Sequence, residues 1–300
     1  MSFSGEVKEE LVKQLPTARH CQLAELAAIL IYTGAVKEEG QSFCLDAQEE
    51  SSFCLRKSCL LLQKTFEMSV SAEEIGNGTK HFRINDSDNI KKVLQAIKYN
   101  KQDTLVNPVV IKSICCKRAF LRGAFLSIGS MSNPEKGYHL EFVCTTQAQA
   151  QQIQEVLQVF EIEAKIVPRK KYQVLYIKES EEIVELLNII GAHVSLMNLE
   201  NLRILKDMRN SINRRVNCEA ANITKTVNAA TKQIEDIQFI RDHYGFDKLS
   251  PQLREIAEVR LDYPDATLKE LGEYLEPQVG KSGVNHRLRK LGELADKLRE

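Results

Sequence analysis

Nine residues, Leu26-Ala27-Ala28-Ile29-Leu30-Ile31-Tyr32-Thr33-Gly34, find a counterpart 95 positions later in Leu121-Arg122-Gly123-Ala124-Phe125-Leu126-Ser127-Ile128-Gly129. Each reads as an apolar helix rich in small residues and stopped by glycine, which takes the left-handed conformation without strain. The segments C-terminal to the two helices match as well. Ala35-Val36-Lys37 and Ser42 to Asp46 are strand-like pieces around a turn at Glu38-Glu39-Gly40. Ser130-Met131-Ser132 and Tyr138-His139-Leu140-Glu141-Phe142 flank a turn at Asn133 to Gly137. The Tyr138 to Phe142 piece alternates in polarity, the period of a half-buried strand. Two such units pack best as a pseudo-twofold pair; the other reading is two core helices of an unrelated α+β protein.

Each half then continues in the same order. A helix comes at about Arg56 to Glu67 and about Thr146 to Phe160. Two strands come next, Ser71 to Ile75 with His81 to Ile84, and Ala164 to Val167 with Tyr172 to Ile177. A closing helix lies at about Ser87 to Tyr99 and Ser180 to Ile190. The fold class is therefore α+β, with two pseudo-symmetric α-β-β-α-β-β-α repeats at about 18–100 and 115–192 inside a domain of residues 1–195. Ala24, Ala27 and Ala28 on one repeated helix, and Gly123, Ala124 and Ser127 on the other, would let the two approach closely.

Forty-one Lys and Arg against 41 Asp and Glu exclude a polybasic, histone-like chain, though not a local basic patch. The longest apolar run, Leu26 to Val36, is far short of the ~18 residues of a membrane span, so no membrane partner is expected. The N-terminus does not resemble a signal peptide, which points to a reduced, cytoplasmic compartment. The eight cysteines, Cys21, Cys44, Cys54, Cys59, Cys115, Cys116, Cys144 and Cys218, form no Cys-x-x-Cys pair. Neither His20-Cys21 nor Cys115-Cys116 has zinc-ligand spacing, so no metal and no cofactor is expected. His139-Leu140-Glu141 is half a zinc-deaminase signature without its Pro-Cys-x-x-Cys, and reads as strand with both polar side chains on one face. No phosphate-cradling glycine loop and no Gly-x-Ser-x-Gly is present.

The last fifty residues carry a helix-turn-helix pattern within a domain of residues 231–300. A first helix spans about Ser250 to Leu261, with Ser250 as N-cap, Pro251 in the first turn and an apolar stripe of Leu253, Ile256, Ala257 and Leu261. It stops before Tyr263-Pro264-Asp265. Thr267-Leu268-Lys269-Glu270 is a capping box opening a second helix, with Leu268, Leu271 and Leu275 on one face and a break at Glu276-Pro277. A third helix runs from Lys281 to Leu291 or beyond. Val284, Leu288 and Leu291 form its buried stripe, while Ser282, Asn285, His286, Arg289 and Lys290 point away. Between Lys281 and Lys290 there are four cations, Lys281, Arg287, Arg289 and Lys290, and no acid. Such a helix suits the DNA major groove: its dipole favours phosphate, Arg289 and Asn285 fit guanine and adenine edges, and Lys281 and Lys290 fit phosphates.

Residues 196–230 read as a basic helical linker between the two domains. Six cations stand against two acids from Asn201 to Ala230, with six asparagines among them. Arg209, Arg214 and Arg215 are the candidates for phosphate contacts. A solvated connector is the other reading of the same stretch.

The paired helix-ending motifs, each opening an α-β-β-α-β-β-α unit, resemble the LAGLIDADG homing endonuclease fold. Phe120 to Leu126, Gly129-Ser130, Asn133 to Phe142 and Gly280 to Leu291 resemble more specifically the WhiA family of bacterial sporulation and cell-division regulators. That family couples such a domain to a C-terminal helix-turn-helix and carries a similar Asn/Arg-rich basic segment between them. The Gly280 to Leu291 string is also similar to helices in region four of primary bacterial sigma factors. The resemblance implies double-stranded DNA as partner, a nucleoid-associated location and a role in division, chromosome organisation or sporulation gene control. It also implies a first domain that straddles DNA or recruits a protein partner.

A LAGLIDADG nuclease holds divalent metal on an acid at the penultimate position of each motif. Thr33 and Ile128 stand there, so the resemblance implies a domain without catalytic acids and no enzyme activity. Two rivals remain. One is a metal-dependent endonuclease using displaced acids such as Glu38, Glu39 or Glu135. The other is a division-machinery scaffold whose DNA binding is incidental.

Overall fold

The computed structural model describes residues 2–36, 43–47, 52–70, 73–75, 79–84, 86–100 and 104–299. The chain divides into two compact units, Met1–Lys206 and Asp207–Glu300.

The first unit opens with a helix that the sequence pattern did not announce, α1 (Phe3–Lys13), then α2 (Arg19–Tyr32), β1 (Phe43–Ala47), α3 (Ser52–Phe66), β2 (Glu73–Ile75), β3 (Thr79–Ile84) and α4 (Ser87–Ala96). It continues with α5 (Ile114–Ile128), β4 (Gly129–Met131), β5 (Leu140–Cys144), α6 (Gln147–Gln158), β6 (Lys165–Arg169), β7 (Tyr172–Ile177) and α7 (Ser180–Ile190). Strands β4 to β7 form an antiparallel four-stranded sheet in the order β4-β5-β7-β6, and β1 to β3 pair antiparallel in the order β1-β3-β2. In β5, Leu140, Phe142 and Cys144 are buried while Glu141 and Val143 are half-buried, the alternation expected of a strand with one face on the core. His139 and Glu141 do meet on one side, with Nε2 3.2 Å from Oε2.

Several boundaries differ from expectation for identifiable reasons. Helix α3 begins at Ser52 rather than near Arg56, because Cys54 and Leu55 are core residues and the Cys54 thiol donates to the Leu126 carbonyl at 3.0 Å. Helix α4 stops at Ala96 rather than Tyr99, where Lys98 takes a positive φ of 54°. The Glu38-Glu39-Gly40 turn, Lys37, Ser42 and Ser71 lie outside the described residues.

Helices α2 and α5 form the centre of this unit and pack on one another. The close approach depends on Gly123, where a Cβ would lie 2.5 Å from the Glu25 carbonyl oxygen and 2.9 Å from the Ala28 Cβ. Ala24, Ala27, Ala28 and Ala124 are fully buried beside it. Within this apolar contact sits a charged group. Glu25 and Lys57 are completely buried and pair at 3.0 Å, and Arg122 reaches the other Glu25 oxygen at 3.2 Å. Lys57 Nζ also donates to the Leu11 carbonyl at 2.8 Å and to the Gln14 carbonyl, so it ties the end of α1 to the core. Burial pushes the Glu25 carboxyl up and the Lys57 ammonium down, and the opposite charges pull each back.

The packing of α2 on α5 also brings together residues that lie far apart in sequence. His20-Cys21 and Cys115-Cys116 lie in the first turns of these helices, and their ligand atoms all come within 4.8 Å of one another. Spacing within each dipeptide hid the cluster, because a contact between two helices creates it.

The helix α8 (His193–His243) starts in the first unit, where the Glu10 carboxylate accepts from the Val194 and Ser195 amides at 2.8 and 2.9 Å and caps its N-terminus. The second unit contains the remainder of α8, then α9 (Pro251–Asp262), α10 (Leu268–Glu273) and α11 (Lys281–Arg299). Its core is Ile237, Ile240, Ile256, Ala257, Leu271, Leu275, Val284, Leu288, Leu291 and Ala295. Among the described residues no helix is long and apolar enough to cross a membrane.

Candidate nucleic-acid interface

The three-helix arrangement is fixed by short-range devices. Ser250 occupies the N-cap of α9 and Pro251 its first turn, although the serine side chain makes no capping bond. Ile256 and Ala257 are buried; Leu253 and Leu261 pack at the rim of the core. The capping box is complete: the Thr267 amide donates to Glu270 Oε2 at 2.7 Å, and the Glu270 amide donates to Thr267 Oγ1 at 3.4 Å. The bond from the Thr267 amide, followed by one from the Thr267 side chain, holds the Glu270 carboxyl below the usual range. Helix α10 ends at Glu273, short of the expected break at Glu276-Pro277. Gly272 is required there, since a Cβ would lie 2.0 Å from the Val279 carbonyl oxygen.

Along α11, Val284, Leu288, Leu291 and Ala295 are buried, and they fall on one side at ~100° per residue. Lys281, Ser282, Asn285, His286, Arg289 and Lys290 are all exposed. The same helical rotation spreads these six over an arc of about 180° beginning next to the apolar stripe. Arg289 contacts Glu293 at 3.3 Å, but both are well exposed. Such a pair contributes roughly 0.3–0.5 kcal/mol, so a phosphate or base edge can displace Glu293 at small cost.

Arg287 does not join this face. Its rotation puts it on the opposite flank of the stripe, where its side chain is only 16% exposed and its guanidinium lies 3.5 Å from Glu255. Glu255 in turn accepts from the Glu276 amide at 2.7 Å. Arg287 therefore couples α11 to α9 and to the loop before it. Sequence reasoning also missed Arg260, which is buried and donates to the Ala266 carbonyl at 2.6 Å, bracing the turn between α9 and α10. An arginine inside an otherwise apolar helical stripe was the available signal. Tyr263 and Tyr274 stack at 4.3 Å and bridge the ends of the same two helices.

Arg209, Arg214 and Arg215 are exposed on α8, but the structure does not bring them to one face. At ~100° per residue, Arg214 lies about 140° and Arg215 about 240° around the helix from Arg209. Arg215 pairs with Glu219 at 3.4 Å, and Arg214 Nε donates to the Asn210 carbonyl at 3.3 Å.

In the first unit, Thr33 is the C-cap of α2 and its hydroxyl donates to the Ile29 carbonyl at 2.6 Å. Ile128 ends α5 and packs against the core. Glu135 is exposed in the turn before β5, its amide donating to Asn133 Oδ1 at 2.9 Å.

Comparison with known proteins agrees along the chain. Residues 117–209 match the WhiA LAGLIDADG-like domain, and residues 212–295 match the WhiA C-terminal HTH domain. The probable cell division protein WhiA of Lachnoclostridium phytofermentans is 51% identical over 313 residues, with both chains covered completely. The protein of the same name from Lachnospira eligens is 46% identical, over all of this chain and 98% of that one. Among solved structures, full-length DUF199/WhiA from Thermatoga maritima is similar with a TM-score of 0.60 and 25% identity, over 99% of each chain. The chain belongs to the WhiA family.

Proposed function

We propose that this chain is a sequence-specific DNA-binding regulator acting in cell division, chromosome organisation or sporulation gene control. The observation that carries the reading is the exposed face of α11, where Lys281, Ser282, Asn285, His286, Arg289 and Lys290 stand free of the core on an acid-free stretch. Its first turn lies at the positive end of the helix dipole, which suits phosphate. Asn285 and Arg289 are the base-reading candidates, and Lys281 and Lys290 the phosphate partners. Arg287 acts one step back by holding α11 against Glu255. Arg209, Arg214 and Arg215 point three ways, so each is available to a phosphate singly rather than as one stripe. The working division is a LAGLIDADG-like domain at 1–195, a basic helical linker at 196–230 and the helix-turn-helix domain at 231–300, in the cytoplasm on the nucleoid.

The first domain is read as two pseudo-symmetric repeats that perform no chemistry. Thr33 spends its hydroxyl within its own helix and Ile128 offers no ligand atom, which leaves no acid at either motif end for a hard metal. Incubated with Mg²⁺ or Mn²⁺, the protein is expected to leave plasmid and promoter duplexes intact. A specific nick abolished by mutating Glu39 or Glu135 would contradict this. The regulator reading is tested in the cell by genome-wide crosslinking of Arg289→Ala. Discrete binding sites and transcript effects are expected to vanish together, whereas a scaffold would keep its phenotype.

A further inference from the structure

The cluster at the N-terminal ends of α2 and α5 has the composition and dimensions of a soft-metal site. His20 Nδ1 lies 3.1 Å from Cys116 Sγ, 3.4 Å from Cys21 Sγ and 3.9 Å from Cys115 Sγ. All four atoms lie within 4.8 Å of one another. Zinc bonds of ~2.3 Å to sulfur and ~2.0 Å to nitrogen in a tetrahedron place ligand atoms about 3.5–3.8 Å apart. The three distances from Nδ1 bracket that range, so small side-chain rotations bring the four atoms to zinc-ligand separations. Three thiols and one imidazole are a donor set that selects zinc over the hard cations.

We propose that His20 Nδ1 and the Sγ atoms of Cys21, Cys115 and Cys116 form a tetrahedral zinc site that clamps α2 to α5. Two features of the fold support it. The 95-residue offset between the repeated helices maps His20 onto Cys115 and Cys21 onto Cys116, so each helix contributes the same pair of positions, the second and third residues of its first turn. A Zn²⁺ held by three thiolates and a neutral imidazole carries a net charge of about −1, and the N-terminal ends of two helices favour negative charge. The cluster also borders a cleft of about 560 Å³ whose wall includes Arg118 and Arg122, and whose mouth gives an ion access. His20 and Cys115 are exposed at this mouth, while Cys21 and Cys116 are buried. The clamp would join the two helices whose packing defines the first unit. None of its four residues belongs to α11, so it stands or falls independently of the regulator reading.

The test uses the full chain, purified under reducing conditions and titrated with Zn²⁺ and with Co²⁺ as a spectroscopic substitute. One equivalent of Zn²⁺ per chain is expected to survive dialysis. The Co²⁺ form should show the intense visible bands of a tetrahedral site with thiolate-to-metal charge transfer. His20→Ala and Cys115→Ser change exposed side chains, and circular dichroism checks that they fold. Each is expected to weaken Zn²⁺ binding by roughly a hundredfold or more, above the 10–100-fold typical of changes outside the ligand set. Cys218→Ser, on exposed α8, should bind as the parent does. Weak octahedral Co²⁺ absorption in the parent, equal Zn²⁺ affinity in parent and ligand variants, or a disulfide among these cysteines with no metal affinity after reduction would overturn the proposal.

Discussion

Alanine at Lys281, Arg289 and Lys290 together is expected to weaken the affinity of the full chain for its selected duplex by roughly a hundredfold or more near physiological salt. The three side chains project from the exposed arc of α11, and none contributes to the core of the second unit. Their loss should therefore leave the unfolding transition unchanged while removing charge from the exposed arc of α11. Salt dependence separates the contributions. If six to eight phosphates are neutralised, log affinity should fall with log salt at a slope of roughly −5 to −7, and each phosphate-contacting cation removed should flatten it by about one. Arg287→Ala should behave differently. Glu255 would lose its cationic partner and keep only the Glu276 amide, so the variant is expected to lower stability and to affect DNA binding through the placement of α11. Affinity measured by fluorescence anisotropy across a salt series, with thermal unfolding beside it, checks all of these. A triple variant that binds as well as the parent would contradict the interface.

The second large effect concerns the buried charges of the first unit. Lys57→Met is expected to destabilise that unit by about 3 kcal/mol, read from urea unfolding. The side chain is completely buried, and its ammonium is shared among Glu25 and the carbonyls of Leu11 and Gln14. Methionine fills a similar volume but leaves Glu25 with Arg122 alone and strips the end of α1 of its donor. Breaking one partner out of a buried ionic group costs more than the group itself contributes, because the remaining charge stays desolvated. A loss under about 1 kcal/mol would contradict this reading of the buried group.

These features differ in how far the chain announces them. The face of α11 was legible because a helix separates its sides by period alone, and Val284, Leu288 and Leu291 fell inside while Arg289 and Lys290 fell outside. The capping box at Thr267 and the strand alternation of Leu140, Phe142 and Cys144 are equally local. What local pattern cannot show is a contact made across the fold. Arg287 was grouped with the other cations because composition does not record that its flank meets Glu255. Arg209, Arg214 and Arg215 were named together because they are near in sequence, and nearness in sequence does not place residues on one side of a helix. The Glu25–Lys57–Arg122 group and the cluster of His20, Cys21, Cys115 and Cys116 both arise only when α2 meets its neighbours. The repeat of 95 residues held the hint for the cluster, since equivalent positions of paired helices meet when the helices do.

DNA binding through α11 is tested most directly by selecting duplexes with the full chain from a random pool, in parallel with the Lys281, Arg289 and Lys290 alanine variant. The parent is expected to enrich one sequence motif and the variant none. Enrichment of the same motif by both, or of no motif by the parent, would contradict it.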